Sequence, residues 1–503
     1  MNIDVSSIMD VFDSIAPVLP ILILIVGALF MPAIQMIFKR GKVTAATALV
    51  VVIISAALNA HMLYHGQTGE FSSLFVYDAF SGLLILLFQA VVFIAILVAS
   101  VSRETTARHV GAFYALLLVA TSGMCFVATA TDLLTIFVGV EMVSIPSYAM
   151  VALKRHDSRA SEAAVKYVII GGLSSGLTVY GISMLFGLSG TTNILGIASY
   201  VEGAGYSAAL IIALATMIAG YGFKIALVPF HSWAPDVYEG AATPVSIFLS
   251  TGSKKMGIVV FIKIFFVLFV FIQSTKAGMT EGMQYVFAIL AAVTMTVGNV
   301  VAIAQTNVKR MLAYSSIAQA GYMMIAFAVL SQWALTGTIY YMFAHVFMKG
   351  GAFVIVAILI HAGIGETLKD YRGLAKRAPL LSALMLIFLF SLAGIPPLGG
   401  FTAKFFLFSS AIVTDLGGAV TAQWMWLAFV AIINSAISLY YYARVIKAMY
   451  VEKGETEEKF KVPVPMMVAA ILCVLGVILM GVYPGPFLHY CSEAAAAIMS
   501  LLP

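Results

Sequence analysis

Apolar runs of twenty residues or more, separated by short polar stretches, fill almost the whole chain. A helix needs about 20 mostly apolar residues to cross a bilayer. On that measure the sequence predicts spans near 15–37, 43–64, 78–101, 109–130, 132–153, 163–187 and 208–228. Further spans follow near 243–273, 281–303, 308–330, 335–361, 379–413, 421–449 and 462–486. The expected fold class is an all-α polytopic membrane protein of about 14 transmembrane helices.

Two of these spans are interrupted. The stretches GFKIALVPFHSWAPDVYEGAATP (Gly222 to Pro244) and LAGIPPLGGFTAKF (Leu392 to Phe405) set prolines and glycines inside apolar sequence, each beside a lysine, Lys224 or Lys404. Proline removes a backbone donor and frees a carbonyl, which lipid tolerates only inside protein or beside a water-filled cavity. Paired broken helices in two halves of a transporter point to inverted repeats with the working site near the midplane. The expected organisation is helices 1–3 over 1–108, a first five-helix repeat over 109–273, a second, inverted one over 281–449, and a C-terminal loop with helix 14 over 450–503. Helices 7 and 12 are the broken ones.

Composition agrees. The chain is 62% hydrophobic and 10% charged, with a mean hydropathy of +1.05. Soluble domains carry about 25% charged residues, so the bilayer must be the main solvent. The charges also test the helix count. Lys39, Arg40, Lys42, Arg103, Arg108, Lys154, Arg155, Arg159, Lys309, Arg310, Lys369, Arg372, Lys376, Arg377, Arg444, Lys447 and Lys453 fall in alternate loops. The opposite loops hold Glu70, Glu202 and Asp415, with Lys276 the exception. Positive loops face the cytoplasm, so both termini are expected outside it. Asp4, Asp10 and Asp13 precede the first apolar run without a basic residue, which speaks for a retained first helix. The net charge of +5 forms no stripe with interleaved aromatics, against nucleic-acid binding. Cys125, Cys473 and Cys491 lie far apart and show no metal-ligand spacing.

Most charges need only solvation to explain them. A smaller set falls inside apolar spans: Glu141, Lys224, Lys254, Lys255, Lys263, Lys349 and Lys404, with His231 and His345. A charge at a helix centre costs roughly 2.5–3.5 kcal/mol on insertion scales, so pairing or function must offset it. Lys224 lies at a proline break, where opposing pulls from burial and from a carboxylate such as Glu141 would let its protonation change. A static Glu141 ion pair, or a Lys224 snorkelling to the interface, is the plainer alternative. Lys254 and Lys255 point about 100° apart on a helix, so one of them, Lys254, is expected to face inward. His345 and Lys349 are four apart and share a face, where the histidine would relay protons or serve as a structural group. Tyr314, Ser315, Ser316 and Gln319 are candidates to line water between them. No Walker loop or triad pattern points to soluble-type catalysis.

The segments VEMVSIPSY, GFKIALVPFHSWAPDVYEGAATPVSIFLSTGSKK, AQTNVKRMLAYSSIAQAGYM and LAGIPPLGGFTAKF resemble subunit N of the complex I family, the antiporter-like subunit of proton-pumping quinone oxidoreductases. NVKRMLAYSSI is shared with sister subunits L and M and with Mrp-type antiporters, and the HVFMK pattern of His345 and Lys349 is similar to L and M. The resemblance implies roles for Glu141 (helix 5), Lys224 (helix 7), Lys254 (helix 8) and Lys404 (helix 12) in a proton relay, with His231, His345 and Lys349 as further candidates. It implies a subunit without a redox centre or cofactor, between M-like and K-like neighbours, in the cytoplasmic membrane of a prokaryote. Iron–sulfur clusters, flavin and a quinone-type acceptor would lie in partner subunits, and the donor could be NADH, ferredoxin or a reduced deazaflavin. The competing expectations are a sodium/proton antiporter subunit of Mrp type and an unrelated substrate transporter.

Overall fold

The computed structural model describes residues 15–105, 109–154, 157–413, 422–456 and 458–501. Asp4, Asp10, Asp13, Arg108, Arg155 and Asp415, used above for orientation, lie outside the described residues. The crossings run in order α1 (Ala16–Phe38), α2 (Gly41–Tyr64), α3 (Ala79–Ala99), α4 (Val110–Thr129), α5 (Leu133–Ala152), α6 (Ser158–Ser189) and α7 (Ala208–Ile225). Then come α8 (Thr243–Thr275), α9 (Glu281–Ile303), α10 (Val308–Val329) and α11 (Gln332–His361). α12 is in two pieces, Pro379–Ala393 and Gly399–Ser409. α13 (Met425–Tyr450) and α14 (Val464–Val482) complete the set. Among the described residues thirteen helices are long and apolar enough to cross a membrane; the broken α12 makes the fourteenth crossing. The protein is a multi-pass membrane protein.

Helices of nearly equal mean hydropathy, 2.5 for α1 and 2.6 for α8, differ sharply in burial, because packing against neighbours rather than apolarity decides it in a bilayer. The apolar window of α8 is 94% buried, whereas that of α1 is 28% buried. α8 is therefore the central post, and α1, α2, α6 and α13 turn large apolar side chains such as Leu29, Ile54, Ile169 and Phe429 outward. The expected inward choice between Lys254 and Lys255 does not apply, because both are buried. A helix enclosed on every side has no outward face to offer.

Three features were not read from the sequence. Gly69–Phe71 and Phe75–Tyr77 pair as an antiparallel hairpin, with Ser72 and Ser73 in the left-handed region at its turn, so the fold is not strictly all-α. The final span ends at Val482, and a separate helix, Gly485–Met499, packs against α3 and α11. A third helix, Ile194–Ala204, lies between α6 and α7, and Lys276 beyond α8 donates to Glu202 O near its end at 2.5 Å.

Several basic loop residues that appear merely solvated in the sequence are ion-paired at one end of the bundle. Asp236, on the short helix Trp233–Gly240, lies 2.6 Å from Arg310 and 2.8 Å from Lys166. Glu104 lies 3.2 Å from Lys154, and its other oxygen accepts from the amide of Thr243 at 2.8 Å. Helix starts leave unpaired amides and a partial positive charge. α8 has no side-chain cap of its own, so Glu104 serves from a distant loop. Burial pushes the Glu104 carboxyl up, but Lys309, Lys154 and the Thr243 amide outweigh it and hold it below the ordinary glutamate value.

Candidate functional site: a buried line of lysines

The two breaks place the outermost lysines. α7 ends at Ala226, which takes the left-handed conformation, and Leu227 N closes the turn on Gly222 O at 2.8 Å. The carbonyl of Phe223 accepts both from Ala226 N and from the Trp233 indole, each at 2.9 Å. Lys224 is thereby fixed one turn from the break, and its Nζ donates to Ser144 Oγ on α5 at 2.7 Å. Glu141, also on α5, shares a small pocket with Lys224 but accepts instead from Ser175 Oγ of α6 at 2.6 Å. No ion pair joins Glu141 to Lys224 among the described residues. The static pair considered from sequence is not the arrangement found.

In α12, Gly394 carries a φ of 91°, and Gly394 N and Ile395 N both return to Phe390 O. The freed carbonyls of Leu392 and Ala393 accept from Lys404 Nζ at 2.8 and 2.9 Å, and Ser435 Oγ of α13 is a third acceptor at 2.9 Å. The lysine occupies the broken end, where partial negative charge collects. Glycine is required at position 400, because a Cβ there would fall 1.8 Å from Ser391 O.

Between these ends lie the other stations. α8 widens into π-type turns at Leu249–Ser253 and Ile262–Phe266, and Lys254 N reaches five residues back to Leu249 O. Such turns recur at functional sites. Lys254 Nζ has no hydrogen-bond partner among the described residues and lies 5.4 Å above the Tyr238 ring. Lys255 Nζ approaches Met323 Sδ at 3.8 Å. His345 is fully buried, its two ring nitrogens without a partner among the described residues, within electrostatic reach of Lys254, Lys255 and Lys349. Lys349 Nζ donates to Leu312 O at 3.0 Å and to Ser315 Oγ at 2.7 Å.

Residues not singled out in the sequence join these stations. Tyr148, in the Lys224 pocket, meets Tyr167 edge-on at 4.7 Å; Tyr167 stacks on Trp233, and Trp233 meets Tyr238, the ring beneath Lys254. On the far side Ser315 bonds Tyr442, Gln319 bonds Tyr341, and Tyr322 lies 5.3 Å below Lys404 Nζ. Asn299 donates to Tyr322 Oη at 3.0 Å and accepts from Tyr441 at 2.9 Å. Ser315 and Gln319 thus belong to the line, and Ser316 lies buried with its hydroxyl close to that of Tyr238. His231 lies at the edge of the line: it is half-exposed, with Nδ1 3.3 Å from Pro229 O, and within electrostatic reach of Lys254. Lys263 is buried on α8 with its Nζ 5.3 Å from the Phe80 ring, further along α8 from the rest.

Residues 130–438, which hold every station named above, match the transmembrane family described as NADH:quinone oxidoreductase/Mrp antiporter. The chain is 42% identical over 440 residues to F(420)H(2) dehydrogenase subunit N of Methanosarcina mazei, covering 85% of this chain and 86% of the relative. It is 37% identical over 450 residues to NADH-quinone oxidoreductase subunit N of Trichlorobacter lovleyi, covering 89% of each. A chain of respiratory complex I from Thermus thermophilus superposes with a TM-score of 0.77 at 27% identity, over 94% of this chain and 99% of that one. A chain of the Mrp complex from Dietzia superposes with a TM-score of 0.85 over 98% and 100%, but at 21% identity that likeness extends to the fold alone. The HVFMK pattern of His345 and Lys349 is thus found in a chain whose relatives here are N subunits. The chain belongs to the NADH:quinone oxidoreductase/Mrp antiporter transmembrane family.

Proposed function

We propose that this chain is the proton-translocating, non-redox subunit N of a complex I-like dehydrogenase. The observation that carries the reading is the nature of the lysines' partners. Lys224, Lys349 and Lys404 donate to hydroxyls and backbone carbonyls, and Lys254 to no protein atom among the described residues. A carboxylate at bonding distance would fix a lysine's charge, whereas neutral oxygen leaves it free to load and release a proton. Buried ion pairs would also be the poorer source of stability.

Water supports the same reading. Lys254 and His345 keep buried polar nitrogens without a protein partner among the described residues, and the hydroxyls of Tyr167 and Ser253, and of Tyr238 and Ser316, lie close together without a well-formed hydrogen bond. Leaving such an atom unmet costs roughly 1–3 kcal/mol, and ordered water is the usual remedy. A hydrated seam would pass protons from Lys224 through Lys254 and Lys349 to Lys404, with Glu141 biasing Lys224 electrostatically. α4–α8 and α9–α13 would be the two inverted repeats, each with its break beside a lysine.

Electron transfer would take place in partner subunits holding flavin, iron–sulfur clusters and a quinone-type acceptor, with M-like and K-like neighbours in the membrane. The relatives' names support NADH or F(420)H(2) as the ultimate donor. On this reading the membrane is a prokaryote's cytoplasmic membrane, and the basic loops support an orientation with both termini outside. The sodium/proton antiporter reading is the weaker one: the family model and the fold are shared with Mrp antiporters, but the relatives above are N subunits. The test is Glu141→Ala and Lys224→Ala in the assembled complex: quinone reduction and proton pumping should fall together. Full pumping with both substitutions would overturn the relay.

A further inference from the structure

Away from the lysine line, a cleft of about 580 Å³ opens between the segment after α11 and the end of α13. Its walls carry Lys369, Arg372, Arg444 and Lys447 against one carboxylate, Glu452. Two of the cations are committed. Arg372 pairs with Glu452 at 2.7 Å, and Arg444 donates to Ile303 O. Lys369 and Lys447 are exposed, and their amino groups have no partner among the described residues. Loop lysines on a convex surface are simply solvated; here four cations converge on a concavity and their charge is not cancelled.

α13 supplies a second, independent observation. Tyr440, Arg444 and Lys447 are spaced i, i+4, i+7 and share a face. Upstream on the outward side of the same helix, Phe429, Ile433, Leu439 and Tyr440 are exposed. An apolar stripe thus runs along the helix and ends at the cations, with a tyrosine at the boundary where aromatic residues mark the membrane interface. Phosphate alone would use the cations and leave the stripe unused; a lipid uses both.

We propose that this cleft binds the phosphate headgroup of an anionic phospholipid, with its acyl chains laid along α13. Basic pockets at helix ends recognise such headgroups through charge, and salt screens that attraction. Glu452 holds Arg372 in place and leaves Lys369 and Lys447 to contact the phosphate.

The test uses the assembled complex in nanodiscs and an amine-reactive label read peptide by peptide. Lys459 and Lys461, exposed in the loop before α14, report the general surface potential. In phosphatidylglycerol discs, labelling of Lys369 and Lys447 should fall about fivefold relative to phosphatidylcholine, and that of Lys459 and Lys461 by less than about half as much. Lys447→Gln, which breaks no contact, should remove most of the protection at Lys369. Protection by inorganic phosphate alone in phosphatidylcholine discs would assign the cleft to a free phosphate and overturn the lipid. Equal protection of all four lysines, or of none, would overturn the site.

Discussion

A lysine ammonium offers three donors, and at Lys404 all three find neutral oxygen: Leu392 O, Ala393 O and Ser435 Oγ. Lys224 has one such partner, Ser144 Oγ, whose hydroxyl in turn donates to Val140 O at 2.7 Å. A hydrogen bond to a charged group is worth roughly 1.5–3 kcal/mol. Ser144→Ala should therefore slow proton pumping in proteoliposomes by about tenfold or more while the complex still assembles, and Ser144→Thr should restore it. Unchanged pumping in the alanine variant would remove Ser144 from the path. The lysines were legible because a charge inside an apolar run stands out at once. Tyr167, Tyr238, Asn299 and Tyr322 were not, since tyrosine and asparagine are unexceptional in such helices and acquire a role only by meeting.

Elements were legible to the extent that they were long. The spans emerged within a few residues of their observed ends, and the breaks in α7 and α12 announced themselves through proline and glycine. The hairpin at Gly69–Tyr77 is too short for a period of two to show, and Gly485–Met499 is too rich in alanine to register as a separate apolar run. The cap on α8 was equally hidden, because Glu104 and Thr243 are 139 residues apart. That cap has a pH signature. The Glu104 carboxyl is held below its ordinary value of 4.5 in the folded protein. A group depressed on folding stabilises fully above its unfolded value, and the benefit is lost as pH falls through the folded one. Protection of the amides at the first turn of α8, taken against the intrinsic exchange rate at each pH, should therefore fall on acidification below about 4.5. Glu104→Gln should raise exchange at neutral pH and flatten the acid dependence; an identical profile in the variant would show that the cap does not hold α8.

At the scale of the molecule, orientation is the open quantity that a chemical label can read. Cys125, Cys473 and Cys491 are all buried, so an impermeant maleimide reports only introduced thiols. Gln67→Cys, beside the hairpin, should label in intact cells, and Lys42→Cys only after permeabilisation. The reverse pattern would invert the topology drawn from the loop charges.

The sequence by itself determined the solvent, the number of crossings, the two breaks and which lysines lie inside the membrane. All of these depend on local composition: about twenty apolar residues, a proline, an isolated charge. Only the tertiary structure decided that Lys254 and Lys255 are both enclosed, that Glu141 bonds Ser175 rather than a lysine, and that tyrosines bridge the stations. Those facts depend on which helix faces which, and helices in a bilayer pack by close fit and interhelical hydrogen bonds rather than by any hydrophobic pattern a single helix carries.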